Sequence, residues 1–299
     1  RSSNCTVLGQ ELAVPFAVAP TAFHKLATSD GELATARAAQ AAGTAMTLST
    51  LSNTPIEDVA AATTGPLWFQ LYVYRDRGST RELVRRAENA GAKALFLTVD
   101  APVQGWRERD RRTGFHLPPG LGLPNATATG AENLPAFEGD SGLAHYINTQ
   151  FDPSLSARDI DWLRSLTDLP IAVKGVLRGD DAVRAVAAGA SAIVVSNHGG
   201  RQLDTAIATA RALPEITDAV GNSAEVIVDG GIRRGTDIVK ALACGASAVL
   251  IGRPVLWGLA ADGERGATQV LELFAQEFDA AMALCGAASP DQLTRELIA

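Results

Sequence analysis

The chain has 299 residues, of which 46% are hydrophobic and 20% charged, and its formal net charge at pH 7 is -7. This composition is typical of a globular protein and excludes disordered and fibrous chains. The net charge is negative and no five like charges follow one another, so the sequence indicates no basic surface for nucleic acid or an anionic membrane. Apolar runs also stay well short of the roughly 18 to 20 residues of a spanning helix.

Eight short runs rich in Val, Ile, Leu and Ala alternate along the chain with longer amphipathic stretches. Most of these runs lack an alternating polar face, as expected for parallel strands covered on both sides. The predicted strands are residues 16–19, 45–48, 67–71, 94–99, 171–173, 192–195, 226–228 and 248–251. The amphipathic stretches predict helices at 32–42, 56–62, 81–90, 157–165, 180–188, 206–220 and 237–244, followed by a final helix at 270–284.

Eight successive strand–helix units with right-handed crossovers close most naturally into a (β/α)8 TIM barrel. We therefore predict one α/β domain over residues 1–299, with an open doubly wound sheet as the alternative. The stretch 118–153 is rich in Gly, Pro, Asn and Thr and follows the fourth strand without clear periodicity. It predicts a long loop, and loops of that length in compact domains commonly cover a functional site.

The three cysteines, Cys5, Cys244 and Cys285, lie far apart and show no Cys-x-x-Cys spacing. Neither a disulfide framework nor a metal site is expected from this pattern. It fits a reducing compartment, and we expect a cytoplasmic protein.

Polar residues follow every predicted strand, at the end where this fold carries its reactive groups. One polar residue after a strand is common, because chains leave sheets through polar turns. Lys, His, Asp and Arg at the ends of successive strands are not explained by turns alone. His198 follows an apolar strand, two glycines come next, and Arg201 lies three residues further on. An imidazole moves protons near neutral pH and a guanidinium grips a carboxylate, so the pair suits an anionic carbon acid.

Glycine and arginine recur after the seventh and eighth strands, in D-G-G-I-R at 229–233 and G-R-P at 252–254. Barrels often hold a phosphate at this position, against backbone N–H groups and a helix N-terminus. Lys174 ends an apolar run and needs an anionic partner. That partner is either a neighbouring carboxylate or negative charge that develops on a bound cofactor.

These motifs resemble the FMN-dependent 2-hydroxy acid oxidases and dehydrogenases, a family that includes glycolate oxidase, lactate oxidase and mandelate dehydrogenase. The resemblance spans almost the whole chain. Its motifs are A-P-T-A at 19–22, F-Q-L-Y at 69–72, T-V-D at 98–100, V-K-G-V at 173–176, S-N-H-G-G-R-Q-L-D at 196–204, D-G-G-I-R-R-G-T-D at 229–237 and I-G-R-P at 251–254.

The resemblance implies a TIM barrel that binds FMN through the strand exits. It places Thr21 and Ala22 near flavin N5, and Lys174 near N1, where its charge favours the anionic reduced flavin. Ser49, Gln70 and Thr98 are implied at the polar edge of the flavin. Ser196 and Asp229 are implied at the ribityl chain. The residues implied at the phosphate are Gly231, Arg233, Gly252 and Arg253.

For the substrate, the resemblance implies that Arg107 and Arg201 hold the carboxylate, with Tyr72 near the hydroxyl or the carboxylate. His198 would act as base and Asp100 would orient it. The proton removed is either the one on the α-carbon or the one on the hydroxyl. The residues expected around the substrate side chain are Phe23, Leu51, Tyr72, Gln104 and Trp106, although Phe23 and Leu51 equally suit packing.

Members of this family usually carry a helical segment before the first barrel strand, and it supplies a tyrosine to the substrate site. Here the first strand begins near Phe16, so we expect that segment to be absent. The expected electron acceptor is O2, with a quinone or protein acceptor as the alternative, and the expected assembly is a homotetramer. Less favoured readings are a non-catalytic barrel or another FMN enzyme such as type 2 isopentenyl diphosphate isomerase or an IMP dehydrogenase-like enzyme.

Overall fold

Eight parallel strands close into a barrel in this computed structural model, which describes residues 1–129 and 142–298. The strands of the described residues are β1 (Cys5–Val7), β2 (Gln10–Leu12), β3 (Phe16–Val18), β4 (Met46–Ser49), β5 (Leu67–Leu71), β6 (Leu95–Thr98), β7 (Ile171–Val176), β8 (Ala192–Val195), β9 (Glu225–Asp229) and β10 (Ala248–Ile251). Barrel neighbours follow chain order from β3, and β10 pairs with β3. The predicted TIM barrel is confirmed, and the open sheet is excluded.

A helix lies at each position that an amphipathic stretch predicts, and two further α-helices in the part of the chain that the structure describes, Glu108–Thr113 and Gly142–Gln150, were not predicted. The last helix begins at Arg253, well before its predicted start at residue 270, and its backbone is non-helical at Asp262 and Gly263. In the described residues the helices are α1 (Gly31–Ala41), α2 (Ile56–Ala61), α3 (Arg77–Asn89), α4 (Glu108–Thr113), α5 (Gly142–Gln150), α6 (Ala157–Arg164), α7 (Gly179–Ala187), α8 (Thr209–Val220), α9 (Gly235–Ala243) and α10 (Arg253–Leu284). α3 begins four residues before its prediction, because Asp76 caps it by accepting hydrogen bonds from the N–H groups of Gly78 and Ser79. No described helix is long and apolar enough to cross a membrane.

The hairpin of β1 and β2, which we did not predict, covers the amino-terminal end of the barrel. Val7 and Leu12 pack with Trp68 and Phe96 in an apolar cluster inside the barrel. The backbone N–H of Leu8 donates to the carboxylate of Glu225, the first residue of β9. With this end covered, the carboxyl ends of the strands are left to build a site.

The segment between β6 and β7 follows the fourth barrel strand, as predicted, but part of it is helical. α5 lies within the stretch we expected to be irregular, and residues 130–141 of that stretch lie outside the described residues. Backbone hydrogen bonds join the end of α5 to the chain after β5, from the Arg75 N–H to the Gln150 carbonyl and from the Asp152 N–H to the Val73 carbonyl. These bonds hold α5 over the carboxyl end of the barrel.

Candidate active site

A cavity of about 320 Å³ opens at the carboxyl end of the barrel. The structure brings most of the predicted site residues together around it. Those that line it are Thr21, Ala22, Phe23, Ser49, Leu51, Tyr72, Gln104, Arg107, Lys174, His198, Arg201, Asp229, Gly231, Arg233, Gly252 and Arg253. Asp100, Gln70, Thr98 and Ser196 stand behind this wall, each bonded to a lining residue or to one another.

His198 and Asp100 form a hydrogen-bonded pair at the edge of the cavity. Nδ1 of His198 lies 2.8 Å from Oδ1 of Asp100. With Nδ1 engaged by the carboxylate, the imidazole has Nε2 available for a ligand in the cavity. The second carboxylate oxygen, Oδ2 of Asp100, is buried and has no hydrogen-bond partner among the described residues. The carboxylate of Asp100 therefore orients the imidazole ring at the edge of the cavity.

Gly175 allows Asp100 to approach β7 closely. Its φ is +111°, and a Cβ built on it would lie 2.6 Å from Cβ and 2.7 Å from Cγ of Asp100. Any side chain at this position would therefore displace the carboxylate. Because residue 175 has no side chain, Asp100 can occupy the position in which it contacts His198.

Lys174 is buried next to the cavity in an ion pair with Asp229. Its Nζ lies 2.9 Å from Oδ2 of Asp229 and donates a hydrogen bond of 2.9 Å to Oγ of Ser196. Burial opposes the charged form, but the carboxylates of Asp229 and Asp100 outweigh it and raise the pKa of Lys174. The ammonium is thus charged at the cavity wall, while Oδ1 of Asp229 has no partner among the described residues.

Ser49, Gln70 and Thr98 form a buried polar row across the ends of three adjacent strands. Oγ of Ser49 donates to Oε1 of Gln70 at 3.2 Å, and Nε2 of Gln70 donates to Oγ1 of Thr98 at 3.0 Å. Such a row places fixed hydrogen-bonding groups beside the cavity floor without a net charge.

Two arginines and a tyrosine, Arg107, Arg201 and Tyr72, give one side of the cavity positive charge and hydrogen-bond donors. Burial, together with the nearby Arg201, lowers the pKa of Arg107, and its Nε is buried without a partner in the described part of the chain. Nη1 of Arg107 lies 3.9 Å from Oδ2 of Asp110. Burial raises the pKa of Tyr72, whose hydroxyl therefore stays protonated. These groups match an incoming carboxylate.

A second cationic group lies at the other end of the cavity, where β9 and β10 finish. Burial and the neighbouring Arg253 both lower the pKa of Arg233, as expected for two guanidinium groups close to each other. Gly252 stands directly before the N-terminus of α10, and a Cβ on Gly231 would meet no atom within 4 Å. A further cavity of about 400 Å³ adjoins this end and shares Gly231 and Arg253 with the first.

The apolar side of the cavity includes residues that the sequence did not reveal. Leu143 and Ile147 of α5 line it opposite the barrel, together with Phe23 and Leu51. Trp106 behaves differently from the expectation: its side chain is 71% exposed, lies outside the cavity lining, and is covered by the guanidinium of Arg111 at 4.0 Å. The other lining residues, to which the sequence assigned no role, are Ala19, Pro20, Ala101, Gly199, Gln202, Gly230, Ile232, Leu250 and Leu256.

The site has the groups that FMN requires. A phosphate needs countercharge and open backbone, and Arg233, Arg253 and Gly231 provide both at one end. A polar heterocycle needs fixed donors and acceptors, and Lys174 with the unpartnered Oδ1 of Asp229 provides them further in. Within residues 1–129 and 142–298, no cluster of three or more His, Cys, Asp or Glu side chains is placed to hold a metal ion.

A barrel with this site is a cofactor-dependent enzyme, and comparison with known proteins gives its family. The profile of the FMN-dependent dehydrogenases matches residues 1–299, so the chain belongs to that family and its cofactor is FMN. It is 59% identical over 285 residues to an L-lactate oxidase of Nostoc sp., covering 94% of this chain and 78% of the relative. It is 50% identical over 298 residues to 2-hydroxyacid oxidase 1 of Homo sapiens, covering 99% and 80%.

A crystal structure of mandelate oxidase with (S)-4-hydroxymandelic acid matches the fold with a TM-score of 0.94. The sequence identity is 47%, and the match covers 98% of this chain and 82% of that one. Together with the curated relatives, this places the chain among the FMN-dependent 2-hydroxy acid oxidases, which are oxidoreductases acting on CH–OH donors.

Proposed function

We propose that this enzyme oxidises an (S)-2-hydroxy acid to the 2-oxo acid with His198 as the base. The observation that carries the proposal is the 2.8 Å contact between His198 and Asp100 at a cavity that Arg107 and Arg201 also line. When bound, FMN supplies the two-electron acceptor for this oxidation. The residues of the chain supply binding, orientation and proton removal.

Arg107 and Arg201 bind the substrate carboxylate. Both line the cavity, and the unpartnered buried Nε of Arg107 is a donor that a carboxylate oxygen would satisfy. Tyr72 lines the same region and keeps its hydroxyl proton, so it donates to the hydroxyl or the carboxylate of the substrate. Holding the acid group in this way fixes the reacting carbon relative to His198.

His198 accepts a proton through Nε2, and Asp100 stabilises the imidazolium that results. A positioned base of this kind contributes about 10²- to 10⁴-fold to a reaction rate. The proton comes from the α-carbon or from the hydroxyl of the substrate, and both lie within reach of a base beside the carboxylate site. Asp100 is the orienting group because its carboxylate engages Nδ1, the nitrogen that does not face the substrate.

The residues predicted to contact FMN hold the cofactor. Arg233, Arg253, Gly231 and Gly252 bind the phosphate at the N-terminus of α10. Those assigned to the flavin ring and the ribityl chain are Thr21, Ala22, Ser49, Gln70, Thr98, Lys174, Ser196 and Asp229. The charged ammonium of Lys174 favours a form of the cofactor with added negative charge.

O2 is the proposed electron acceptor, which makes the net reaction 2-hydroxy acid plus O2 giving 2-oxo acid plus hydrogen peroxide. The relatives named as oxidases of lactate and 2-hydroxy acids support this choice over a quinone or protein acceptor. The apolar wall of Phe23, Leu51, Leu143 and Ile147 suits a substrate with a side chain larger than that of glycolate.

The test is anaerobic mixing of the yellow holoenzyme with aliphatic and aromatic 2-hydroxy acids. We expect bleaching of the oxidised flavin absorbance by at least one of them, followed by recovery and stoichiometric hydrogen peroxide when O2 is admitted. If no acid bleaches the flavin, the proposed reaction is wrong. Bleaching without recovery in O2, but with recovery by a quinone, would assign the chain to the dehydrogenases. The homotetramer and the cytoplasmic location stay predictions from the sequence.

A further inference from the structure

We infer that Gln202 is a positioning residue for this reaction, because its side-chain amide joins the two loops that carry the base, its carboxylate partner and both substrate arginines. One loop follows β6 and contains Asp100 and Arg107; the other follows β8 and contains His198 and Arg201. The inference rests on the proposed function, and it assigns a role to a residue that does not itself move a proton.

The amide of Gln202 makes three hydrogen bonds, all to the loop after β6. Nε2 donates to the carbonyl of Asp100 at 2.9 Å and to the carbonyl of Val103 at 3.0 Å, while Oε1 accepts from the N–H of Gly105 at 3.0 Å. Rotating the amide by half a turn would set Oε1 against two carbonyl oxygens. The side chain therefore has one satisfied orientation, and it fixes residues 100–105 at three points.

Backbone packing makes this connection tight. A Cβ built on Gly105 would lie 2.6 Å from Cα of Gln202, so the two loops touch without intervening side chains. Arg201 precedes Gln202 directly, and Arg107 lies two residues after Gly105. A change in the Gln202 hydrogen bonds would thus alter the separation of the two arginines as well as the contact of Asp100 with His198.

The loop after β6 has another tether that offers a comparison. The N–H of Gln104 donates to Oδ1 of Asn148 on α5 at 3.1 Å. This single bond joins the loop to α5 and not to the loop that carries His198. Losing it should disturb Arg107 and Gln104 less than losing Gln202, and should leave the relation of Asp100 to His198 unchanged.

The experiment compares Gln202→Leu and Gln202→Glu with the wild-type holoenzyme in anaerobic flavin reduction. Leucine removes all three hydrogen bonds at similar volume. Glutamate keeps an acceptor for Gly105 but sets a second carboxylate oxygen against the two carbonyls. We expect the limiting reduction rate to fall about 100-fold in both variants, which is the effect of misplacing a reacting group by about 1 Å. The substrate concentration that gives half-maximal reduction should change less. FMN affinity, measured by fluorescence titration, should stay within about threefold.

Gln40→Leu is the matched control. The Gln40 side chain also joins loop residues, accepting from Thr63 Oγ1 and Thr64 N, but it lies away from the cavity lining. We expect this variant to reduce at the wild-type rate, and Asn148→Ala to show an intermediate loss. A rate in both Gln202 variants equal to wild type overturns the inference.

A double-mutant cycle separates positioning from general weakening of the structure. If Gln202 acts through the contact of Asp100 with His198, Gln202→Leu should cost much less in an Asp100→Asn background than in wild type. Equal losses in both backgrounds would show that Gln202 does not act through the contact of Asp100 with His198, and would contradict that part of the inference. Because the wild type is measured first against the panel of 2-hydroxy acids, failure of the proposed reaction is recognised separately, by the absence of any bleaching.

Titration of an unreactive carboxylate, followed by its effect on flavin absorbance, reports the arginine geometry independently of turnover. The affinity for this carboxylate should be weakened in both Gln202 variants.

Discussion

Nδ1 of His198 lies 2.8 Å from Oδ1 of Asp100, although the two residues follow different strands of the barrel. The contact decides which imidazole nitrogen carries a proton in the resting enzyme. An ionised carboxylate accepts a hydrogen bond and cannot donate one, so Nδ1 donates to Asp100 and Nε2 is the nitrogen left for a ligand in the cavity. The chemistry proposed for the cavity depends on this tautomer.

Asp100→Asn should lower the anaerobic flavin reduction rate by about 10³- to 10⁴-fold, the size of effect seen when an asparagine replaces the carboxylate behind a catalytic histidine. The amide can donate to Nδ1 and so stabilise the unproductive tautomer. His198→Ala should lose reduction to a similar extent and keep FMN, because it removes the imidazole and leaves Arg233 and Arg253 in place. Rates close to wild type in stopped-flow measurements would show that neither residue has its assigned role.

Gly175→Ala tests whether the position of Asp100 depends on the missing side chain. The new methyl would overlap Asp100, so we expect reduction to fall by at least tenfold while the protein still binds FMN. Gly91→Ala is the control, since residue 91 also has a positive φ, +85°, but a Cβ there meets nothing within 4 Å. Left-handed backbone should cost both variants about 1–2 kcal/mol of stability in urea unfolding, but only Gly175→Ala should lose activity.

Lys174→Met should destabilise the protein by about 3–5 kcal/mol, because it leaves the carboxylate of Asp229 buried without its partner. Adding Asp229→Asn removes that charge and should recover part of the loss in urea unfolding. Flavin reduction should not recover, since the ammonium is still missing. If the double variant reduces at the wild-type rate, Lys174 serves the fold alone.

The same ion pair predicts how stability depends on alkaline pH. The folded-state pKa of Lys174 is raised above its ordinary value of 10.5, so its contribution is fully present below pH 10.5 and is lost as the pH rises through the folded-state value. The free energy of unfolding of wild type minus that of the Lys174→Met/Asp229→Asn variant, measured at each pH, should isolate this loss. A difference that is constant from pH 9 to pH 11.5 would contradict the assignment.

Arg233→Met and Arg253→Met should each weaken FMN binding by about 10- to 100-fold, the worth of a hydrogen bond to a charged group. Riboflavin, which lacks the phosphate, is the control ligand and should bind wild type and variants alike. Fluorescence titration of the apoprotein with both ligands makes the comparison. An equal loss for riboflavin would place the two arginines away from the phosphate.

The strands and most of the site could be predicted because both have local signals. Buried parallel strands appear as short apolar runs, and the polar residues that follow them converge wherever the barrel closes. The position of Trp106 had no such signal: it depends on the contact of Gly105 with Gln202, nearly a hundred residues later in the chain. The hairpin of β1 and β2 was missed because strands of three residues carry too few positions to show a period.

α5 was missed for a different reason, and it provides the last test. Leu143 and Ile147 are four residues apart, a helical spacing, but the Gly- and Pro-rich residues before them hid the pattern. Ile147→Ala should enlarge the pocket beside the apolar wall and so raise kcat/KM for an aromatic 2-hydroxy acid relative to lactate. Ile147→Phe should fill the pocket and lower that ratio. One methylene in such a pocket is worth about 1–3 kcal/mol, so we expect the ratio to change at least tenfold. Leu273→Ala, at an exposed position of α10, should leave the ratio unchanged. An unchanged ratio in both Ile147 variants would show that α5 does not contact the substrate side chain.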